Sequence, residues 1–402
     1  MLEVATCGFE EARACVMGAV SGARRPLPVE EAGLLEATGR VLAEDIVTDR
    51  DCPAVARSVR DGFAVCASDA PGQFEVIGEV RAGEAFAGVV QPGRAVEIMT
   101  GAPMPAGADA VVMVEHTLRD GSRITTDRVL SSGENFNPAG VEARAGDTVV
   151  ARGALVGYAE IAMAATVGRA TLRVYARPRV AILATGDELV DIADTPLPWQ
   201  VRNSNTWSLA AQVLSCGAVP HVLPVARDNY EATRELVERG LEHDLLLVSG
   251  GVSAGKYDVV KSVLADLGAE FFFDRVRMQP GQPVVFGRVG EKFFFGLPGN
   301  PLSGMVTFEA LARAALELLS GHATTTLPLL WSRLARELRQ RTGLTRFIPS
   351  CLSADGGTVV PAGSHSSGDI PAVVRANAWL VTEPEREHYD ARELVRVMRR
   401  SG

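Results

Sequence analysis

Three glycine-bearing loops, each directly after a short apolar run, constrain this chain most. Thr185-Gly186-Asp187-Glu188 follows Val180–Ala184, Ser249-Gly250-Gly251-Val252-Ser253 follows Leu245–Val248, and Leu297-Pro298-Gly299-Asn300-Pro301 follows Phe293–Phe295. Amphipathic helical stretches alternate with these runs, which predicts an α/β fold with a parallel sheet whose loops gather at the carboxyl ends of its strands. Glycine lets backbone approach a ligand closely, and exposed N–H groups there suit an anion. The carboxylates Asp187, Glu188 and Asp258 fall in or just after the same loops. Carboxylates and a phosphate repel one another unless a divalent cation lies between them. The set therefore reads as a site for a phosphorylated ligand with a hard metal, Mg²⁺.

The helices of this region are signed by their ends. Thr206–Leu214 follows the cap candidates Asn203-Ser204-Asn205, and Tyr230–Leu241 and Val259–Leu267 follow later strands. The last helix carries Asn300 as cap and Pro301 at its first position, and Gly321 supplies its stop. Upstream, Phe9–Val20 reads as a helix and Val29–Ala43 as helical or mixed. From about Val47 to Asn137, short β-rich pieces such as Phe74–Val80 and Ala110–Val114 are broken by Gly and Pro. Similar mixed segments flank this stretch, so it reads as an insertion. The expected division is residues 1–46 and 141–176 as an N-terminal helical segment and a discontinuous mixed domain, 47–140 as the inserted β-rich domain, 177–325 as the α/β domain, and 326–402 as a C-terminal β-barrel-like domain.

At 402 residues with a formal net charge of −9, the chain has length for several domains and no basic excess to neutralise a nucleic acid. Its six cysteines are scattered with no Cys-x-x-Cys pair, which fits reduced thiols. No apolar run approaches the ~20 residues a membrane span needs, and the acidic start does not read as a signal peptide. A cytoplasmic protein with no membrane or nucleic-acid partner is expected.

Each motif also has a plainer reading. Gly250–Lys256 satisfies the first seven positions of a phosphate-binding P-loop, but Tyr257 stands where a metal-holding hydroxyl belongs. Thr185–Glu188 alone is a tight turn with a solvated acidic pair. Asp258 suits either an N-cap or a metal ligand. Ser58–Phe63 and Thr100–Pro103 alone are ordinary turns. The histidines, His116, His221 and His365 among them, show no metal-ligand spacing.

In order along the chain, Ser58–Phe63, Met99–Pro103, Thr185–Leu189, Ser249–Ser253 with Tyr257-Asp258, Pro280-Gly281 and Leu297–Ser303 resemble the molybdopterin molybdotransferase family, the MoeA-like group that includes the E domain of gephyrin. The resemblance implies an elongated homodimer of four-domain subunits that inserts molybdate into adenylated molybdopterin with Mg²⁺ and releases AMP. It assigns functional positions to Asp61 and Thr100 on the inserted domain, which faces the partner's α/β domain, and to Asp187, Glu188, Asp228, Asp258, Pro298 and Pro301 at the cleft. Thr185, Gly186, Ser249, Gly250, Gly251, Ser253, Gly281, Gly299, Asn300 and Ser303 would hold the pyrophosphate or molybdate oxygens, and Asp187, Glu188 and Asp258 the Mg²⁺. The chain departs from the family where Lys-Pro-Gly-Lys is common and it has Gln279-Pro280-Gly281-Gln282; Arg275 and Arg277 are expected to compensate. A segment often rich in arginine followed by Gly-Glu-Asp reads here Phe136–Glu142, with Glu142 in place of the aspartate. Two alternatives are a molybdopterin adenylyltransferase, which resembles the α/β domain alone, and a non-catalytic molybdopterin-binding scaffold.

Overall fold

The computed structural model describes residues 6–23, 26–227, 229–251 and 259–400. Its central sheet runs in the order Val219–Val222, Arg179–Ala184, Leu245–Ser249, Lys292–Leu297, Val285–Val289, Glu270–Phe273. The first four strands are mutually parallel. Val285–Val289 runs antiparallel to both of its neighbours, and a two-residue turn at Gly290-Glu291 folds Val289 directly against Lys292. The expected parallel sheet thus holds for the strands that carry the loops and gives way at one edge.

Both faces of this sheet are covered, so its strands are apolar on both sides. Along one strand, Val180 and Ile182 enter a core with Phe9, Leu209 and Phe308, while Ala181 and Leu183 enter another with Leu236, Val237 and Leu264. That alternation is the two-residue period of a strand. The helix Phe9–Gly22 lies in the first core, and Phe9 meets Phe347 edge-on at 5.1 Å.

Val29–Gly33, read as helical or mixed, is a strand paired antiparallel with Thr171–Tyr175. The stretch Val-Glu-Glu-Ala-Gly has no period of its own that distinguishes helix from strand, and here a partner remote in sequence supplies the ladder. Ile46–Val47 pairs with Thr148–Val150, and Ala32, Leu42, Val156 and Leu172 share one core. Between these stretches lies a six-stranded sheet containing Gly62–Val65, Gly72–Val80, Arg94–Ile98 and Ala110–Met113.

Toward the C-terminus, Thr345–Leu352, Thr358–Pro361, Leu329–Leu334, Leu394–Arg399 and Ala378–Thr382 pair in that order, and the last pairs back with the first to close a barrel. The stretch Glu270–Gln279 is two strands. It breaks at Asp274, whose carboxylate accepts from Lys261 Nζ at 2.8 Å; beyond it Arg275–Gln279 pairs with Thr345–Arg346 of the barrel. One run of chain therefore ties the α/β unit to the barrel, close to the glycine loops.

Candidate active site

Strand register brings the three loops together. Ala184 is opposite Ser249, and Ser249 opposite Leu297, so Thr185, Gly250 and Pro298 leave the sheet side by side. Thr185 N donates to Ser249 O and Gly250 N to Leu297 O, both at 3.1 Å. They border a cavity of about 810 Å³ that Thr185, Gly186, Glu188, Ser249, Gly250, Gly251 and Pro298–Pro301 line with Asn203–Asn205. Gly250 and Gly251 have φ of +90° and +64°, and a Cβ on Gly251 would lie 2.7 Å from Thr185 Oγ1. Backbone conformation and crowding thus both require glycine there. Two helices begin at this cavity, Ser204–Ser215 and the one starting at Pro301, so two positive dipole ends lie at its wall.

Two polar atoms in the cavity walls have no hydrogen-bond partner among the described residues, although buried: Thr185 Oγ1 and Asn205 Oδ1. Buried polar groups are ordinarily paired, so both suit a ligand. Asn205 is a site residue that sequence reasoning took only as a cap candidate. Asn203 does the capping, accepting from Thr206 N at 3.3 Å and Thr206 Oγ1 at 2.9 Å. A second asparagine inside the first turn has no cap to make, and that was the available signal. Asn300, expected to cap the last helix, makes no side-chain cap bond; its carbonyl accepts from Gly304 N instead. Pro301 does occupy the first helical position.

The carboxylates divide. Glu188 is exposed at the cavity wall and folds back over Gly186, where a Cβ would lie 2.5 Å from its Oε2. Asp187 is exposed beside it, and its carbonyl accepts from Arg227 at 3.3 Å. Asp228, Ser253 and Asp258 lie outside the described residues. Among the described residues no group of three or more His, Cys, Asp or Glu is placed to hold a metal. Mg²⁺ fits such a rim in the way it commonly binds, through one or two carboxylates plus substrate phosphates rather than an all-protein cage.

Asp61 and Thr100 meet each other away from this cavity. Thr100 N and Oγ1 donate to Asp61 Oδ1 at 2.6 and 2.8 Å, and these bonds hold the exposed carboxyl below its ordinary range. Gly281 and Ser303 do not line the cavity either: Ser303 is buried in the last helix, and Gly281 packs on Thr307 of the same helix. Arg275 and Arg277 lie on the exposed side of their strand, because Val276 and Met278 take the buried side.

The positive charge expected from those arginines sits elsewhere. A second cavity of about 650 Å³ is lined by Gln279, Pro280, Arg339, Arg341, Arg346, His365 and serines of the 364–367 segment, with no carboxylate among its lining residues. Arg346 Nε is buried and has no partner among the described residues, and burial, then the nearby Arg341 charge, pushes the Arg346 guanidinium below its usual value. The cavities adjoin, since Leu302 N donates to Ser367 O at 3.0 Å, Leu302 and Ser367 line the second, and Pro301 and Gly368 line the first. Sequence reasoning missed these barrel residues: single arginines on short strands carry no motif, and only barrel closure gathers them.

Family models match three consecutive regions: the MoeA N-terminal region (domain I and II) over residues 7–168, the probable molybdopterin binding domain over 181–318, and the MoeA C-terminal region (domain IV) over 332–399. The chain is similar to a molybdopterin molybdenumtransferase of Staphylococcus epidermidis, 34% identical over 373 residues that cover 90% of this chain and 89% of that one. A Staphylococcus aureus protein of the same name is 33% identical over 384 residues, covering 89% and 92%. Among solved structures, the molybdopterin biosynthesis MoeA protein from Pyrococcus horikoshii OT3 aligns with a TM-score of 0.85 and 26% identity over 98% of this chain and 100% of that one. The glycine loops, the closed barrel and relatives sharing a third of its residues along almost all of its length agree: the chain belongs to the MoeA family, the molybdopterin molybdenumtransferases of molybdenum cofactor biosynthesis.

Proposed function

We propose that this chain inserts molybdate into adenylated molybdopterin, with Mg²⁺, and releases AMP, and that it does so as a cytoplasmic homodimer. The observation that carries the reading is the pair of adjoining cavities, one walled by glycine loops and helix N-termini, the other by arginines without carboxylates. The first suits a pyrophosphate: the backbone N–H of Gly251 is a donor of fixed direction, and the Thr185 hydroxyl can turn to supply a second. The second suits a tetrahedral oxyanion, which guanidinium groups bind through paired hydrogen bonds. Molybdate held there would lie beside the pterin end of a nucleotide whose phosphates occupy the first.

Glu188 and Asp187 would hold Mg²⁺ from the protein side, with Asp258 as a third candidate. When bound, the cation neutralises the pyrophosphate and the departing phosphate. The remaining work is positioning. Thr185 and the loop glycines orient the phosphates, and Arg346 with Arg339 and Arg341 holds the oxyanion, so no protein nucleophile is required. The Asp61–Thr100 pair is proposed to face a partner subunit's cavity. An adenylyltransferase reading gains nothing from the barrel arginines.

The test is purified protein given adenylated molybdopterin, Mg²⁺ and molybdate. AMP release that depends on molybdate is expected. Asp187→Ala and Glu188→Ala are each expected to keep nucleotide binding and lose release; full release by both would remove the metal assignment.

A further inference from the structure

We infer that Asn205 is a specificity-determining residue of the first cavity and that its Oδ1 accepts a hydrogen bond from an uncharged donor group of the pterin nucleotide. The inference deepens the functional reading above and rests on it. The orientation of the amide is fixed by its neighbours. Asn205 Nδ2 lies 2.7 Å from Gly299 O and 3.0 Å from Ser249 Oγ. A backbone carbonyl only accepts, so the nitrogen is the atom facing Gly299 and the oxygen points elsewhere. That oxygen is buried in the cavity wall without a donor among the described residues. Asn205 cannot turn to find one without losing its bond to Gly299, which joins the second and third loops through a single side chain.

An amide oxygen offers only lone pairs. A phosphate or molybdate oxygen, also an acceptor, would be repelled there, so the Asn205 wall differs in kind from the donor-bearing wall at Thr185 and Gly251. What fits is an O–H or N–H: a ribose hydroxyl, the purine amine, or the amine of the pterin ring. A ligand lacking it leaves a desolvated carbonyl unpaired, and sites built this way reject such analogues strongly.

The experiment is a calorimetric titration of the full chain and of Asn205→Ala with AMP, 2′-deoxy-AMP, 3′-deoxy-AMP and inosine monophosphate, and with 6-hydroxymethylpterin against 6-hydroxymethyllumazine. In the unmutated chain one analogue is expected to bind roughly ten- to a hundredfold more weakly than its parent, and which one identifies the donor. In Asn205→Ala that analogue and its parent are expected to bind alike. General loosening of the loops would weaken parent and analogue equally, so a discrimination ratio that survives the substitution overturns the inference. So does an unmutated chain that discriminates against no analogue, a result that does not depend on the variant folding. Failure of the unmutated chain to bind any of these ligands removes the functional reading and this inference with it.

Discussion

Thr185 concentrates the chemistry of the first cavity in one atom. Its hydroxyl is buried, has no partner among the described residues, and lies against the glycines of the next loop. A desolvated hydroxyl without a bond is a cost to the folded state. Thr185→Val, nearly isosteric, is therefore expected to leave the unfolding free energy unchanged or raise it by up to about 1 kcal/mol, while AMP binding weakens roughly tenfold. Denaturant titration beside calorimetry checks both, and a marked loss of stability would show that the hydroxyl already has a partner inside the protein. Arg346 makes the complementary case: Arg346→Ala is expected to raise the molybdate KM with AMP affinity unchanged, because the guanidinium serves only the second cavity. At Asp61 the two bonds from Thr100 depress the carboxyl below its ordinary 3.8. A depressed folded value means that its contribution is present above 3.8 and is lost as pH falls through the folded value. Thr100→Ala removes one of those bonds and is expected to raise the midpoint of Asp61 toward 3.8 in an NMR titration; an unmoved midpoint would mean that the hydroxyl bond contributes nothing.

At the scale of elements, the helix beginning at Pro301 couples the two cavities, since its first turn borders both. Gly281 seats it. At φ +105°, a Cβ on Gly281 would lie 2.4 Å from Thr307 Oγ1 inside the helix. Gly281→Ala is expected to destabilise the chain by roughly 1–3 kcal/mol and to weaken both nucleotide and molybdate, a double effect that neither Thr185→Val nor Arg346→Ala produces. The elements themselves show why the sequence was legible in parts. Val180–Ala184 and Tyr230–Leu241 stand as read, because a continuous apolar run and a strong helical period each encode their own state locally. Val29–Gly33 and the break at Asp274 were not legible, since each depends on a partner remote in sequence. The site divides likewise. Glycine loops announce themselves by motif, whereas Arg346 and Asn205 become site residues only through barrel closure and through the bond to Gly299.

For the whole molecule, the separation of Asp61 and Thr100 from the cavity becomes a statement about assembly. Within one chain neither residue lines the cavity, although the sequence resemblance leads one to expect a functional role for both. If a homodimer sets the inserted sheet of each subunit against the cavity of the other, every site draws Asp61 from one chain and Glu188 from its partner. Mixed dimers test this directly. Asp61→Ala and Glu188→Ala are each expected to be inactive alone. Co-expressed, half of the random dimers are mixed, and in each mixed dimer one of the two sites combines an unmutated Asp61 with an unmutated Glu188. Molybdate-dependent AMP release should therefore recover to about one quarter of the unmutated rate. Were Asp61 to serve the cavity of its own chain, every site in the mixture would carry one substitution and no activity would return. The two arrangements are separated by presence or absence of activity, so the outcome does not depend on how strongly either single substitution impairs binding.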